Sequence, residues 1–453
     1  MTRLQLVEIE PAPLERFRPL IADRYDEVAE AAARACKTFS GRRIWHVNST
    51  AQGGGVAEML RALLPYARDA GVDTRWAVLM PEAEEFFAVT KRIHNHLHGD
   101  EGDGGELDDA ARAIYEGALS RSADELRRLV EPEDVIYLHD PQTAGLVPAM
   151  QEAGPAVIWR CHVGVDRPND LAREAWEFLR PYVERADAYV FSRREYLWEG
   201  LDQSRAWFMP PVIDPFSAKN EELDGERVAA VLSSVGAKAT ILEQAPVPES
   251  APVVAQVSRW DRLKDPRGLL EVFEHHLDEP SAHLVLVGPE TAGVSDDPEG
   301  AAVYGEVAEH WRGMSAACRA RSHLISLPMT DLRENATMVN ALQRRAGLIV
   351  QKSLAEGFGL TVAEAMWKAR PVVASGVGGI RDQVVDGRTG ILVDDPRDLP
   401  AFASAIESIL GDRDRCSQMG EAGRERVRGN YLAVDRLREY VGLVAALLAR
   451  IDD

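Results

Sequence analysis

Short β-rich runs recur along this chain, each followed by a helical stretch, and the rhythm stops once and starts again. RRIWHVNS (42–49), TRWAVLM (74–80), DVIYLHD (134–140), AVIWRCH (156–162) and DAYVFS (187–192) form the first series. VVAQVSR (253–259), HLVLVGP (283–289), GLIVQKS (347–353), PVVAS (371–375) and GILV (390–393) form the second. Strands alternating with helices fold into mainly parallel, doubly wound sheets, so the class is α/β. A chain of 453 residues also exceeds what one hydrophobic core organises. Two Rossmann-like domains are expected, facing each other across a cleft. The proline-dense MPPVIDP (209–215) marks the break. The first domain then spans 1–215 and the second 216–432. A last helix, within 433–453 and running from about Asp435 to Ile451, is expected to pack back on the first. Residues 1–40 read as an arm with a helix around Asp23 to Ala35.

Charge narrows the partners. The formal net charge is −21, from 73 acids against 52 Lys and Arg. Such a surface repels nucleic acid and anionic membrane, so any anionic substrate needs a few local cations. The four cysteines (Cys36, Cys161, Cys318, Cys416) are far apart and form no CxxC pair, which suits a reducing compartment. MTRLQLVEIEPAPLERF carries no apolar signal core, and no run reaches the ~18 apolar residues of a membrane span. A cytoplasmic protein is expected.

Open α/β sheets bind ligands at the carboxyl ends of their strands, and the candidate residues lie there. Gly53, Gly54 and Gly55 join a strand to the helix AEMLRALLPYARDAG. Glycines at such a turn let the backbone approach an anion at a helix N-terminus, or simply make the turn. In SRWDRLKDP, Arg259 and Lys264 follow a strand five residues apart. Two cations so placed in an acidic protein suit a diphosphate. Charge-assisted bonds of that kind are worth ~1.5–3 kcal/mol each.

The stretch KSLAEGFGLTVAEAMWKARPVVAS carries two acids, Glu356 and Glu364. Gly357 and Gly359 break the chain, and a helix is expected to start near Thr361. Thr361 with Glu364 three later has the form of a capping box, a structural use for the second acid. Glu356 precedes the helix and has no such use. A carboxylate pair at this spacing can accept hydroxyls from two sugars of one elongated ligand. Equally, it can be the acid and nucleophile of a glycosidase, whose carboxylates stand ~5–9.5 Å apart. SGVGGI (375–380) is a phosphate nest or a plain turn. His139, Asp140 and His162 end consecutive strands. No cluster has metal-ligand spacing, and neither GxSxG nor GxxxxGK[ST] occurs.

EGFGLTVAE after a strand, with RxxxxK about 95 residues upstream, resembles the retaining GT-B glycosyltransferases. HVNSTAQGGGVAEML, HDPQ, WRCH, MPPVIDP, DDPEG and EGFGLTVAEAMWK look like the trehalose glycosyltransferring synthases among them. The resemblance implies a GT-B fold and a retaining glucosyltransferase. That enzyme reversibly makes trehalose from a nucleoside-diphosphate glucose (ADP-, UDP- or GDP-glucose) and free glucose, releasing the nucleoside diphosphate. It implies no cofactor and no metal. The partners are small molecules (nucleotide glucose, glucose, trehalose), and a homodimer is an allowed assembly.

By the same resemblance, Arg259 and Lys264 neutralise the departing diphosphate, while Glu356 holds glucose hydroxyls and Glu364 the ribose. Gly54 and Gly55 line the diphosphate. The segment Gly357, Phe358, Gly359, Leu360 and Thr361 offers backbone to phosphate or sugar oxygens. His162 contacts the transferring glucose; Asp140 and Asp166 belong to the acceptor side. Two local departures stand out: Asp265-Pro266 follows Lys264 where relatives often have glycine, and VGVDRPN follows WRCH. Arg167, beside Asp166, raises glucose 6-phosphate as an acceptor. The alternatives are therefore transferases of the trehalose phosphorylase, trehalose-phosphate synthase or sucrose synthase kind, a glycoside hydrolase, and a non-catalytic nucleotide-sugar-binding module.

Overall fold

The computed structural model describes residues 4–51, 54–81, 84–291 and 299–452. The chain forms two compact units. One comprises Met1–Val212 and Leu432–Asp453, the other Ile213–Tyr431.

The first unit is built on a seven-stranded sheet. Its strands are β1 (Leu4–Val7), β2 (Arg43–Asn48), β3 (Asp73–Leu79), β4 (Val135–His139), β5 (Ala156–Cys161), β6 (Ala188–Phe191) and β7 (Ala206–Phe208). Their order is β1-β3-β2-β4-β5-β6-β7. Only β1 runs antiparallel, paired with β3. The period of two in side-chain direction divides each strand between two faces. Trp45, Val47, Ile136, Leu138, Val157 and Trp159 join the core on one face. Ile44, Tyr137, Ile158 and Val190 join the other, with Val441, Leu443, Val444 and Leu447 of the last helix, Leu437–Asp452. Burial on both faces is why these strands read as nearly unbroken apolar runs.

In the second unit the strands are β8 (Thr240–Leu242), β9 (Val253–Val257), β10 (His283–Pro289), β11 (Ser322–Leu327), β12 (Leu348–Gln351), β13 (Val372–Ser375) and β14 (Ile391–Val393). They stand in the order β14-β13-β12-β9-β10-β11-β8, with β8 antiparallel to β11. Leu269, Leu270, Phe273, Leu286, Val350, Val373, Phe402 and Ile406 share its core.

Four strands escape a reading of the sequence: β1, β7, β8 and β11. Three of them are sheet edges only three or four residues long. The fourth, SHLISL, mixes polar and apolar residues without a period yet is wholly buried. The N-terminal arm is thus partly a strand, and its helix runs Tyr25–Thr38.

Among its parallel strands, each sheet reverses its direction of growth once. In the first, successive strands step from β2 to β3 and then return to β4 on the other side of β2. In the second, they step from β9 through β10 to β11 and return to β12 beside β9. At these reversals the connections diverge and leave room above the strand ends.

The last helix is anchored in the first unit by one buried charge. The Arg160 side chain on β5 donates from Nη1 to the Tyr440 hydroxyl and from Nη2 to the Met209 carbonyl (3.2 Å), with Arg160 only 1% exposed. A buried guanidinium that loses an acceptor keeps its desolvation cost. Tyr440→Phe is therefore expected to lower stability by about 2 kcal/mol, measured by urea unfolding; an unchanged midpoint would contradict this anchor.

Candidate active site

The second unit's strand reversal brings together the residues expected to meet a diphosphate. Arg259 leaves the end of β9 and lies 3.4 Å from Asp261. Asp261 Oδ1 caps the following turn by accepting the Leu263 N–H (2.8 Å). Lys264 closes that turn and places its ammonium 2.7 Å from Glu356 Oε2. Ser353 Oγ donates to the same oxygen (3.2 Å). Lys264 belongs to the loop after β9 and Glu356 to the loop after β12, so the ion pair spans the reversal. Both side chains are largely enclosed, 18% and 11% exposed, which weakens solvent screening of the pair.

Three further bonds lace the two loops. Gln256, buried on β9, donates from Nε2 to the Lys264 carbonyl (2.8 Å) and accepts the Lys352 N–H on Oε1 (3.0 Å). Leu354 N–H donates to the Leu263 carbonyl (2.8 Å). Asp265 has φ +43° and ψ +52°. That left-handed conformation costs a side-chain-bearing residue ~1–2 kcal/mol, least for Asp and Asn. The backbone thus keeps the glycine shape without the glycine.

Beyond Glu356 the chain turns at Gly359, φ +84°, into the helix Leu360–Trp367. The helix thus starts one residue before Thr361, near where it is expected. Gly359 is the N-cap, no side chain caps the helix, and the Thr361–Glu364 capping box does not form. Glycine reaches the left-handed region freely, so the cap falls at Gly359, two residues before Thr361. The Gly357–Thr361 segment is pinned from behind: Gln383 Nε2 donates to the Phe358 and Gly359 carbonyls (2.5 and 3.2 Å). The SGVGGI turn packs against it, for a Cβ on Gly379 would lie 2.6 Å from the Phe358 Cα.

Glu364 is buried at 3% exposure. Its Oε1 lies 3.3 Å from Lys219 Nζ, while Oε2 is without a hydrogen-bond partner among the described residues. Lys368 donates to the Glu364 carbonyl (3.1 Å) and to Asn220 Oδ1 (2.9 Å). A buried carboxylate oxygen left this way is a ready acceptor for a ligand hydroxyl.

In the first unit, Gly54 caps and Gly55 begins the helix Gly55–Asp69. Among the described residues, a Cβ on Gly55 would meet nothing within 4 Å, which leaves the backbone there accessible to a group approaching past them. Gly53 and the Asp296-Asp297-Pro298 part of DDPEG lie outside the described residues. His46, His139 and His162 form a stacked row across β2, β4 and the end of β5. His46 Nδ1 lies 3.1 Å from His139 Nε2, and His139 Nδ1 lies 3.3 Å from His162 Nε2. Asp140 is held at φ +63°, and its Oδ1 accepts the His162 N–H (2.6 Å). The structure therefore brings His162 and Asp140 into contact.

Asp166 instead pairs with Arg193, a buried residue after β6 that also lies 3.5 Å from Glu195. Arg167 is exposed. Arg193, Lys219, Gln256, Lys352 and Ser353 are site residues that motif reading passes over. The signal for Gln256 and Lys352 was a polar residue inside or directly after a buried β run, which must find a partner.

Residues 46–198 match the family described as "Trehalose synthase, N-terminal domain", and residues 237–426 match "Glycosyl transferases group 1". A trehalose synthase of Rubrobacter xylanophilus is 39% identical over 98% of this chain and 99% of its own length. One from Thermococcus litoralis is 36% identical over 95% and 96%. Among solved structures, the α,α-trehalose-phosphate synthase of Burkholderia xenovorans superposes with a TM-score of 0.69. That match is at 16% identity and covers 89% of this chain and all of that one, a likeness of fold.

The histidine row makes stability depend on pH. Burial, with Arg160 nearby, pushes His46 from 6.5 down to about 3. Burial also takes His139 and His162 well below the usual imidazole range. Burial raises Asp140 to about 7, against the pull of the His162 N–H and Arg160. Below pH 6.5 the unfolded histidines bind protons that the folded ones refuse, so their contribution is lost as pH falls. Asp140 has the opposite sign, since the folded form binds its proton below about pH 7. One group opposes three, and acidification from pH 7 to 5 is expected to destabilise the protein. His46 alone accounts for about 2 kcal/mol of that loss. Urea unfolding at the two pH values checks it: His46→Gln should shrink the loss, and an unchanged pH slope in that variant would contradict the assignment.

Proposed function

The chain belongs to the trehalose synthase family of GT-B glycosyltransferases, and on that footing we propose that it transfers glucose, with retention, from a nucleoside-diphosphate glucose to free glucose. The products are trehalose and the nucleoside diphosphate, and the reaction runs in both directions. The observation that carries this reading is the Lys264–Glu356 pair at the second unit's strand reversal. A cation and a carboxylate aimed at one point suit the two ends of the bond that breaks, the diphosphate and the sugar.

In the reaction, negative charge grows on the departing diphosphate while the glucosyl carbon becomes oxocarbenium-like. Lys264 and Arg259 meet that growing charge, where fixed electrostatics contribute most to rate. Glu356 accepts hydroxyls of the transferring glucose, and the bared Oε2 of Glu364 accepts the ribose hydroxyls. The Gly357–Thr361 backbone and the open turn at Gly54 and Gly55 bind phosphate or sugar oxygens. The first unit supplies His162 and Asp140 for the sugars. A leaving-phosphate oxygen takes the acceptor proton, so no protein nucleophile is needed, nor any cofactor or metal. The small-molecule partners are nucleotide glucose, glucose and trehalose, and the enzyme works in the cytoplasm.

Free glucose is favoured over glucose 6-phosphate by one local feature. The buried cation after β6, Arg193, is already engaged by Asp166 and Glu195. Asp166 thus serves the acceptor side by neutralising a charge that would otherwise attract phosphate.

The direct assay incubates the protein with ADP-, UDP- and GDP-glucose plus glucose. α,α-Trehalose and nucleoside diphosphate should appear in equal amounts with at least one donor; no disaccharide with any donor would refute the reading. Lys264→Ala is expected to lower kcat by about 10²–10³-fold while nucleoside-diphosphate affinity falls far less. Equal losses in the two would contradict its leaving-group role.

A further inference from the structure

Lys352 is a buried cation that none of the roles above uses. It follows β12 directly, is 1% exposed, and pairs through Nζ with Asp265. The ammonium also lies 5.4 Å from the centre of the buried Phe402 ring. Asp265 has a second partner, accepting the Gly268 N–H on Oδ1 (3.0 Å) at the start of the helix Pro266–His275. The fit is close. A Cβ on Gly268 would lie 2.6 Å from Lys352 Nζ and closer still to the Asp265 carboxylate.

Asp265 immediately follows Lys264 and holds a left-handed backbone, φ +43°. Glycine adopts that conformation unaided; a residue with a Cβ has to be held in it. The holding contacts come from two directions: the helix N-terminus through Gly268, and the β12 end through Lys352. The same β12 end leads to Glu356, which pairs with Lys264, and to Ser353, which donates to Glu356.

We propose that Lys352 is a positioning residue for Lys264. By clamping Asp265 it fixes the left-handed turn that aims the Lys264 ammonium, and so replaces with an ion pair what a glycine would do at this position. The inference rests on Lys264 facing the diphosphate, the reading given above. Lys352 touches no substrate and acts through Asp265. A purely structural ion pair would alter stability and leave turnover alone, whereas a positioning pair alters kcat. Displacing a charged group by about an ångström costs up to ~10²-fold in rate.

The test uses full-length Lys352→Met, Asp265→Gly and the double variant. Lys264→Ala is measured beside them for kcat, donor KM and thermal midpoint. Lys352→Met is expected to lose ~10–50-fold in kcat with donor KM changed less than ~threefold. Asp265→Gly should lower the thermal midpoint, because it strands the buried ammonium, yet keep kcat within ~threefold of wild type, since glycine takes the turn without help. The double variant should likewise keep kcat within ~threefold of wild type. If Lys352→Met fails to fold, Asp265→Ala takes its place: it has a Cβ and no clamp, and should lose ~10–50-fold in kcat where Asp265→Gly does not. A Lys352→Met that loses stability but keeps kcat overturns the inference, as does an Asp265→Ala as active as Asp265→Gly or a double variant as slow as Lys352→Met. Full activity in Lys264→Ala overturns the underlying reading of the site. An inactive Lys264→Ala beside a fully active Lys352→Met overturns the role of Lys352 alone.

Discussion

The ion pair between Lys264 and Glu356 is the contact on which the second unit's site depends. It joins two loops that meet because the sheet reverses its order between β9 and β12. Everything around it serves to hold those loops in register. Gln256 bridges the Lys264 carbonyl and the Lys352 amide, Leu354 bonds Leu263, and Lys352 reaches back to Asp265. Buried polar groups of this kind tolerate no missing partner. The network therefore fixes the position of two charged side chains more firmly than loop residues alone could.

The first unit solves a related problem with different chemistry. Its strand ends present stacked neutral histidines and an Asp140 raised to about 7, where the second presents paired full charges. Burial beside Arg160 keeps the histidines uncharged, and Arg160 is itself tied to the C-terminal helix through Tyr440. The last helix thereby helps hold Arg160 on β5. An uncharged imidazole and a weakly acidic carboxyl suit sugar hydroxyls, and paired strong charges suit a diphosphate.

The alternating rhythm gave away the fold because strands buried on both faces must be apolar throughout, as VIYLH and AVIWRC are. Edge strands carry no such demand: LQLV leaves Leu6 58% exposed, and TIL is too short to register. At the site, residue types were legible and their partners were not. Lys264 and Glu356 stand 92 positions apart, and only the parallel pairing of β9 with β12 makes them neighbours. The capping-box pattern at Thr361 misled because Gly359 could enter the left-handed region and cap the helix itself. Asp265 looked like a departure from a glycine position. Its backbone takes the left-handed turn that glycine favours, and its partner Lys352 follows another strand, where no local pattern could point to it.

A crystal structure of the protein with a bound nucleoside diphosphate tests the central claim most directly. The account predicts Lys264 Nζ within about 3 Å of an oxygen of the terminal phosphate, with the Glu356 carboxylate turned toward the position of the sugar. A diphosphate bound away from the β9–β12 reversal, with Lys264 still held by Glu356 and out of its reach, would contradict it.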